Sequence, residues 1–235
     1  MGLFENGEPI FVHEPVKVDS RNAKGHQGSS SFLTASISEG MKVAGWKADD
    51  LELIALPLGP GSFTGLRVGV VTAKTLAYVH DIPVVGLNTL QVVAAQTTAH
   101  CEASNLPKPE RVTSVVNAQR RQLFSAEFTV GDENQVTMTE EASIVDREAW
   151  IDSLVSGWVT GTGLAPIETK LREQKPGLKI APEEIRRVLP KTLNDLAVKE
   201  FKAGKQDDLW TLAPQYFRPS SAEEKANSKQ AKSSS

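Results

Sequence analysis

Apolar positions along the chain gather into short runs and helical stripes, parted by polar connectors rich in glycine and proline. Met1 to Phe4 reads as the end of a strand, Asn6-Gly7 as a hairpin turn, and Ile10 to His13 as the returning strand with Pro9 near its start. Asp19 to Ser31 is polar and glycine-punctuated, which predicts a loop. Phe32, Leu33, Ile37, Met41 and Ala44 then recur at helical spacing, and Gly45 is a natural stop. Leu53 to Leu58 is an apolar run broken only by Pro57, the length of a buried strand, and it leads through glycines into a helix reaching about Val79. Val84 to Leu87 predicts a short strand, and Thr89 a cap for a helix through Ala95.

From Ala99 to Pro109 the composition turns polar, with two prolines, and a boundary is expected there. Beyond it, Val112–Val116, Leu123–Val130 and the neighbourhood of Val136–Met138 predict a three-stranded meander. Asp146 is placed to cap a helix reaching Val155, with Trp150, Ile151 and Leu154 on one face. Trp158 to Thr160 reads as a strand running into Gly161-Thr162-Gly163. Leu164–Arg172 and Leu193–Phe201 have amphipathic spacing, and Gly204 ends the second. Strands followed by helices in both halves suggest a duplicated α/β unit. The tail from Ser220 has no large apolar residue and cannot bury enough surface to order itself.

The stretch with most chemical character is Gly59-Pro60-Gly61-Ser62-Phe63-Thr64-Gly65-Leu66-Arg67. A phosphate-binding P-loop would need its second glycine one position earlier than Gly65 and a lysine where Leu66 stands. The dinucleotide fingerprint fails because Thr64 occupies the third glycine position. A strand, a glycine turn and a helix start can still hold an anion through backbone N–H groups, which makes Gly59, Gly61, Ser62, Thr64, Gly65 and Arg67 a candidate anion or nucleotide loop. Ser62 or Thr64 caps the helix, and the short span after Leu58 leaves little room for a side chain at Gly61. The competing reading is a close-packed turn that binds nothing. Gly65, Gly69, Ala73 and Ala77 recur every fourth residue, so small side chains line one face of the helix. Such a face suits close approach of another helix or of the protein's own sheet.

The net charge of −3 provides no broad basic field for nucleic acid. No apolar run is long enough to span a bilayer, and the first residues do not read as a signal peptide. The single cysteine, Cys101, has no internal disulfide partner, lies in the polar stretch, and is consistent with a cytoplasmic protein. His13, His26, His80 and His100 show no metal-ligand spacing, so no metal site is expected. Asp49-Asp50 and Glu140-Glu141 read as solvated turns, Arg120 and Arg121 as exposed hairpin residues with a lesser claim on phosphate, and Ser62 lacks a nucleophile-elbow context.

Gly59 to Arg67, with Ala73-Lys74-x-Leu76-Ala77 and Ile82 to Leu90 after it, resembles the signature of the TsaB family, the dimerisation subunit of the bacterial complex that makes threonylcarbamoyladenosine in tRNA. Pro214-Gln215-Tyr216-Phe217-Arg218-Pro219 resembles that family's C-terminal motif, and Asn117-Ala118-Gln119-Arg120-Arg121 its Asp-Ala-Arg-Arg-type turn with the acid replaced. The resemblance implies an α/β protein of duplicated ribonuclease H-like or actin-like ATPase (ASKHA) architecture in two lobes. Residues 1–100 would form the first lobe, 101–110 a linker, 111–219 the second lobe and 220–235 a disordered tail. It also implies a strand ahead of the hairpin, ending in an Asp/Glu-Thr-Ser-like turn. That strand is missing here, so the expectation is that the reading frame upstream of Met1 encodes it, and that the first lobe otherwise shows a gap. The implied function is a non-catalytic subunit with no cofactor, paired with the TsaD-type threonylcarbamoyltransferase, joined through the complex by a TsaE-type ATPase and meeting tRNA only there. A homodimer is a further expected form. The implied interface comprises Phe32, Leu33, Ile37 and Met41 with Gly65, Gly69, Ala73 and Ala77. The alternative is a small-molecule kinase or ATPase of the same superfold, using the glycine loop for phosphate.

Overall fold

The computed structural model describes residues 1–13 and 29–217, with side chains described from residue 32 onward in the second stretch. His26, most of the loop expected at 19–31, Arg218-Pro219 and the tail at 220–235 lie outside the described residues. The hairpin is present: β1 (Gly2–Glu5) pairs antiparallel with β2 (Glu8–Val12), and Asn6 and Gly7 take the positive φ that the tight turn needs. Helix α1 (Ser29–Ala44) turns Ser36 and Gly40 inward, and a Cβ at Gly40 would stand 2.7 Å from the Phe11 ring. β3 (Ile54–Gly59) feeds α2 (Phe63–His80), and β4 (Val84–Asn88) lies parallel to β3.

Helix α3 (Thr89–Ala103) runs eight residues past the expected Ala95, because its later turns are buried on every side they need to be. Leu90, Ala94, Ala95 and Cys101 enter one core with Val112, Ala126, Phe128 and Trp158 of the second half. The connector expected at 101–110 therefore begins after Ala103, and Cys101 is a fully buried core residue rather than part of a polar linker.

The second half builds a mixed sheet from β5 (Arg111–Asn117), β6 (Gln122–Val130), β7 (Val136–Met138), β8 (Ser143–Asp146), β9 (Trp158–Thr160) and β10 (Lys179–Ile180). Its order is β10-β9-β5-β6-β7, with β8 also on β6, and the meander read from the sequence is its antiparallel part. α4 (Arg147–Ser153) is capped by Asp146 as expected and packs Trp150 and Ile151 inward. α5 (Glu168–Gln174) starts later than expected, after a short 3-10 turn over Thr162–Leu164.

The largest departure from the expected domain boundaries is at the C-terminus. α6 (Pro190–Lys202) buries Ala197 with Val85, Leu87 and Val92, so it belongs to the first sheet although it lies within 111–219. Residues 205–217 follow it there. Asp207 N–H donates to the Val84 carbonyl at 2.9 Å, Gly86 N–H donates to the Asp207 carboxylate at 2.7 Å, and Leu212 joins Leu56, Leu58 and Val84 in a core. The apolar underside of β3 and β4 needs a cover, and the returning chain supplies it. Among the described residues of the first half, β1–β2 and β3–β4 form two separate two-stranded sheets.

Candidate functional site

The glycine turn is held by its own chain. Ser62, not Thr64, caps α2, accepting from Gly65 N–H at 3.3 Å, while Thr64 is exposed. Asn88 caps α3 in the same way through Leu90 and Gln91. Across these two helix starts runs Pro214 to Phe217. Gln215 N–H donates to the Leu58 carbonyl at 2.8 Å, and the Asn88 side-chain amide donates to Gln215 Oε1 at 3.2 Å. Arg67 donates from Nε to the Tyr216 hydroxyl at 2.8 Å, and its guanidinium lies 4.0 Å from the Phe63 ring centroid. The Phe63 and Tyr216 rings are 4.8 Å apart.

Gly59 has φ +128°, and a Cβ there would lie 2.8 Å from the Gln215 carbonyl oxygen. Glycine is required here by both backbone angle and the close approach of the strap. Gly61 differs from expectation: it is exposed, and an added Cβ would meet only the Leu66 side chain at 3.7 Å. The tight position is two residues earlier than the sequence suggested. The Ser62 cap takes Gly65 N–H and the strap takes Arg67 Nε, two of the donors an anion there would use, and they unite Gly59, Ser62, Gly65 and Arg67 with Tyr216, which sequence spacing could not place beside them.

The stripe of small residues divides. Ala73 and Ala77 are buried with Leu56, Leu58 and Val70 against β3 and β4, so they are removed from the expected interface. Their smallness lets the helix sit close to its own sheet. Gly65 and Gly69 are half-buried, and a Cβ at Gly69 would meet nothing within 4 Å. On α1, Leu33, Ile37 and Met41 are half-buried, while Phe32 is exposed and sets its ring edge-on to His13 at 4.7 Å.

The outward face of α2 carries the groups that the sequence reading missed. Val71 is 63% exposed, Tyr78 69% and Val79 65%, and Trp210 at 79% stands edge-on to Tyr78 with centroids 5.8 Å apart. Positions 71, 75, 78 and 79 share one face at helical spacing, so the signal was present, opposite the glycine stripe. Beside them Arg67, Val70, Lys74, Leu212, Pro214 and Tyr216 line an open cavity of about 440 Å³.

The remaining candidates have structural partners. His80 Nδ1 meets Asp49 Oδ1 at 2.5 Å, so Asp49 is not merely solvated. Asn117 Oδ1 accepts from Gln119 N–H at 2.9 Å and from Arg147 at 3.1 Å, and Gln119, Arg120 and Arg121 all have positive φ. Arg121 lies 3.7 Å from Glu148, which also pairs with Lys170. Burial pushes the Cys101 thiol pKa up, opposed by Lys179, which leaves it a poor nucleophile. Glu168, the first residue of α5, has its pKa lowered to about 2, first by its hydrogen bond from Arg186, and the pair is remote from the glycine turn. No group of three or more potential metal-ligating side chains occurs among the described residues, and no helix among them is long and apolar enough to cross a membrane.

A family model described as TsaD, tRNA N6-adenosine threonylcarbamoyltransferase, matches residues 24–152. The chain belongs to this family. Within it, the chain is similar to the tRNA threonylcarbamoyladenosine biosynthesis protein TsaB of Escherichia coli, at 27% identity over 76% of this chain and 75% of that protein. It is also similar to TsaB of Bacillus subtilis, at 31% identity over 45% of this chain and 42% of that one. Among solved structures, a Pseudomonas aeruginosa protein described as similar to the peptidase YeaZ superposes with a TM-score of 0.65 at 18% identity, covering 83% of this chain and 85% of that chain. The TsaB-like recognition and the actin-like α/β fold read from the glycine stretch are both borne out.

Proposed function

We propose that this chain serves threonylcarbamoyladenosine formation in tRNA as a non-catalytic, TsaB-type subunit in the cytoplasm, docked on a TsaD-type threonylcarbamoyltransferase. A TsaE-type ATPase joins through that complex, tRNA is met only within it, and a homodimer is the form taken without the transferase. The reading rests on the likeness to TsaB along most of the chain together with one structural observation, the exposed apolar side of α2. Val71, Tyr78 and Val79 with Trp210 expose the apolar and aromatic side chains from which interface anchors are made once a partner covers them. Phe32, Leu33, Ile37 and Met41 of α1 and the open backbone at Gly65 and Gly69 extend the proposed contact, with Ala73 and Ala77 left out.

Gly69→Leu tests the glycine part of this face cleanly. The space around Gly69 admits a side chain in the free subunit, and replacing an interior helix glycine favours the helix by about 1 kcal/mol. The variant should therefore melt no lower than the parent yet lose co-purification with the transferase. Trp210→Ala should weaken association about tenfold or more. Unaltered affinity in both variants overturns the proposed face. Modification of tRNA by the isolated chain supplied with threonylcarbamoyl-adenylate overturns the non-catalytic assignment.

A further inference from the structure

Arg67 is fixed in place with its outer donors unused. Its guanidinium carbon lies 4.0 Å from the Phe63 ring centroid and 5.7 Å from that of Tyr216, whose hydroxyl accepts from Nε at 2.8 Å. Two rings and a hydrogen bond set the plane of the group, so little side-chain freedom is left to lose on binding. The Tyr216 hydroxyl takes only Nε, and among the described residues the two Nη groups have no acceptor. A planar guanidinium held at its inner edge and free at its outer one has the geometry that grips a carboxylate.

The cavity beside it carries one sign of charge. Its wall holds Arg67 and Lys74 with the apolar groups of Val70, Val71, Leu212 and Pro214, and no acidic residue lines it. Lys74 Nζ donates to the Leu212 carbonyl at 3.1 Å, which uses one of its three N–H groups. Low-dielectric walls strengthen the field of two such cations. Arg67, Val71, Lys74 and Tyr78 follow one another along α2 at intervals of four, three and four, the seam of a helix that packs on another helix. Arg67 is the charged end of that seam, and Tyr78 with Trp210 is its aromatic end.

Resting on the docking face proposed for the transferase, we propose that this cavity is a carboxylate receptor. An Asp or Glu on an otherwise apolar helix of the transferase enters it and is gripped by Arg67, with Lys74 adding to the positive field. Charge complementarity selects this occupant, since the wall offers two cations, an apolar floor and no acid of its own. A helix with apolar residues alone would cover Arg67 and Lys74 without pairing them, which is costly. The same cost would reject a helix docked in the wrong register, so Arg67 determines specificity as well as affinity.

Titration of the full chain with the transferase, at about 50 and about 500 mM NaCl, tests this. The parent should lose about fivefold or more in affinity between the two conditions. Arg67→Gln should bind about tenfold more weakly at low salt and be nearly insensitive to salt, and Lys74→Gln should fall between it and the parent. Arg67→Lys keeps the charge without the fork, so it should lose affinity and keep the salt response. If Arg67 merely braces the strap, Arg67→Gln weakens binding with the salt response unchanged, and the proposal is overturned. Should Arg67→Gln prove unfolded, Lys74→Gln decides, and an unchanged salt response there overturns the proposal. Parental affinity in Arg67→Gln alongside weakened binding by Trp210→Ala overturns the receptor and leaves the docking face standing, whereas no binding by the parent overturns both. Saturable binding of ATP to the free chain, abolished in Arg67→Gln, would assign the cavity to phosphate and also overturn it.

Discussion

β5 and β3 are both apolar strands under helix cover, but among the described residues β5 has neighbours on both edges and β3 on one. Val112, Val115 and Ser114 of β5 are completely buried, while Ile54, Ala55 and Pro57 of β3 are not. Burial of a strand is thus set by its neighbours more than by its own residues. The second sheet is closed within residues 111–180, whereas the first depends on a clasp, the α6 helix and the strap over 205–217, brought from the far end of the chain.

The largest effect is expected at Gly161, where β9 passes β5. Its φ is +107°, and a Cβ would stand 2.0 Å from the Val115 carbonyl oxygen. Gly161→Ala combines an unfavourable backbone with overpacking, and a loss of about 3–5 kcal/mol is expected, measured by urea denaturation.

A smaller and more local effect is expected in the clasp. Asp207→Ala leaves the buried Gly86 N–H without its acceptor, at a cost of about 1–3 kcal/mol. Hydrogen exchange should quicken across Val84–Leu87 while Val112–Val115 keeps its rates. Equal acceleration in both stretches would show that the two sheets unfold as one unit and that the clasp is not a separate source of stability.

How far the sequence carried these distinctions follows from the range of each signal. Local patterns worked: the hairpin at Asn6-Gly7, the Ser62 and Asp146 caps, the meander and the two major helices of the first half were legible from residues close together in the chain. Long-range packing was not legible. Nothing local says that α6 crosses back to the first sheet, or that Tyr216 meets Arg67. The four-residue spacing at Gly65, Gly69, Ala73 and Ala77 showed that one face is small, but not that its last two residues press on β3 and β4 while Gly69 stands open. Cys101 misled because its polar neighbours hid a helix that is buried from the other side.

Acid should also separate the two halves, more weakly. Arg186 and Arg172 hold the Glu168 carboxyl at about 2 when folded, below its ordinary 4.5. A lowered folded value means that the stabilisation is full above the ordinary value and is lost as pH falls from about 4.5 towards 2. Because Glu168 is partly exposed, screening reduces the effect to about 1 kcal/mol. Urea midpoints at pH 6, 4 and 3 should fall for the parent, with a shallower fall for Glu168→Gln. Parallel curves for the two proteins would remove this ion pair as a source of acid sensitivity.

The smallest effect is expected at Gly61, and its smallness is the point. Gly59 and Gly61 flank Pro60 in one turn, but only Gly59 combines a positive φ with a carbonyl oxygen at 2.8 Å from its missing Cβ. Gly61 has neither: it is exposed, and the nearest atoms to an added Cβ are the flexible end of Leu66 at 3.7 Å, an ordinary contact. Replacing glycine where the backbone already suits a side chain also restricts the unfolded chain, which favours folding. Gly61→Val should therefore leave stability within about 0.5 kcal/mol of the parent, as surface substitutions do, while Gly59→Ala should lower it by about 2 kcal/mol or more and loosen the strap at Gln215. Thermal melts of the two variants side by side check this. A loss at Gly61 as large as that at Gly59 would mean that the whole turn is tightly packed, and that the strap does not select one glycine from the pair.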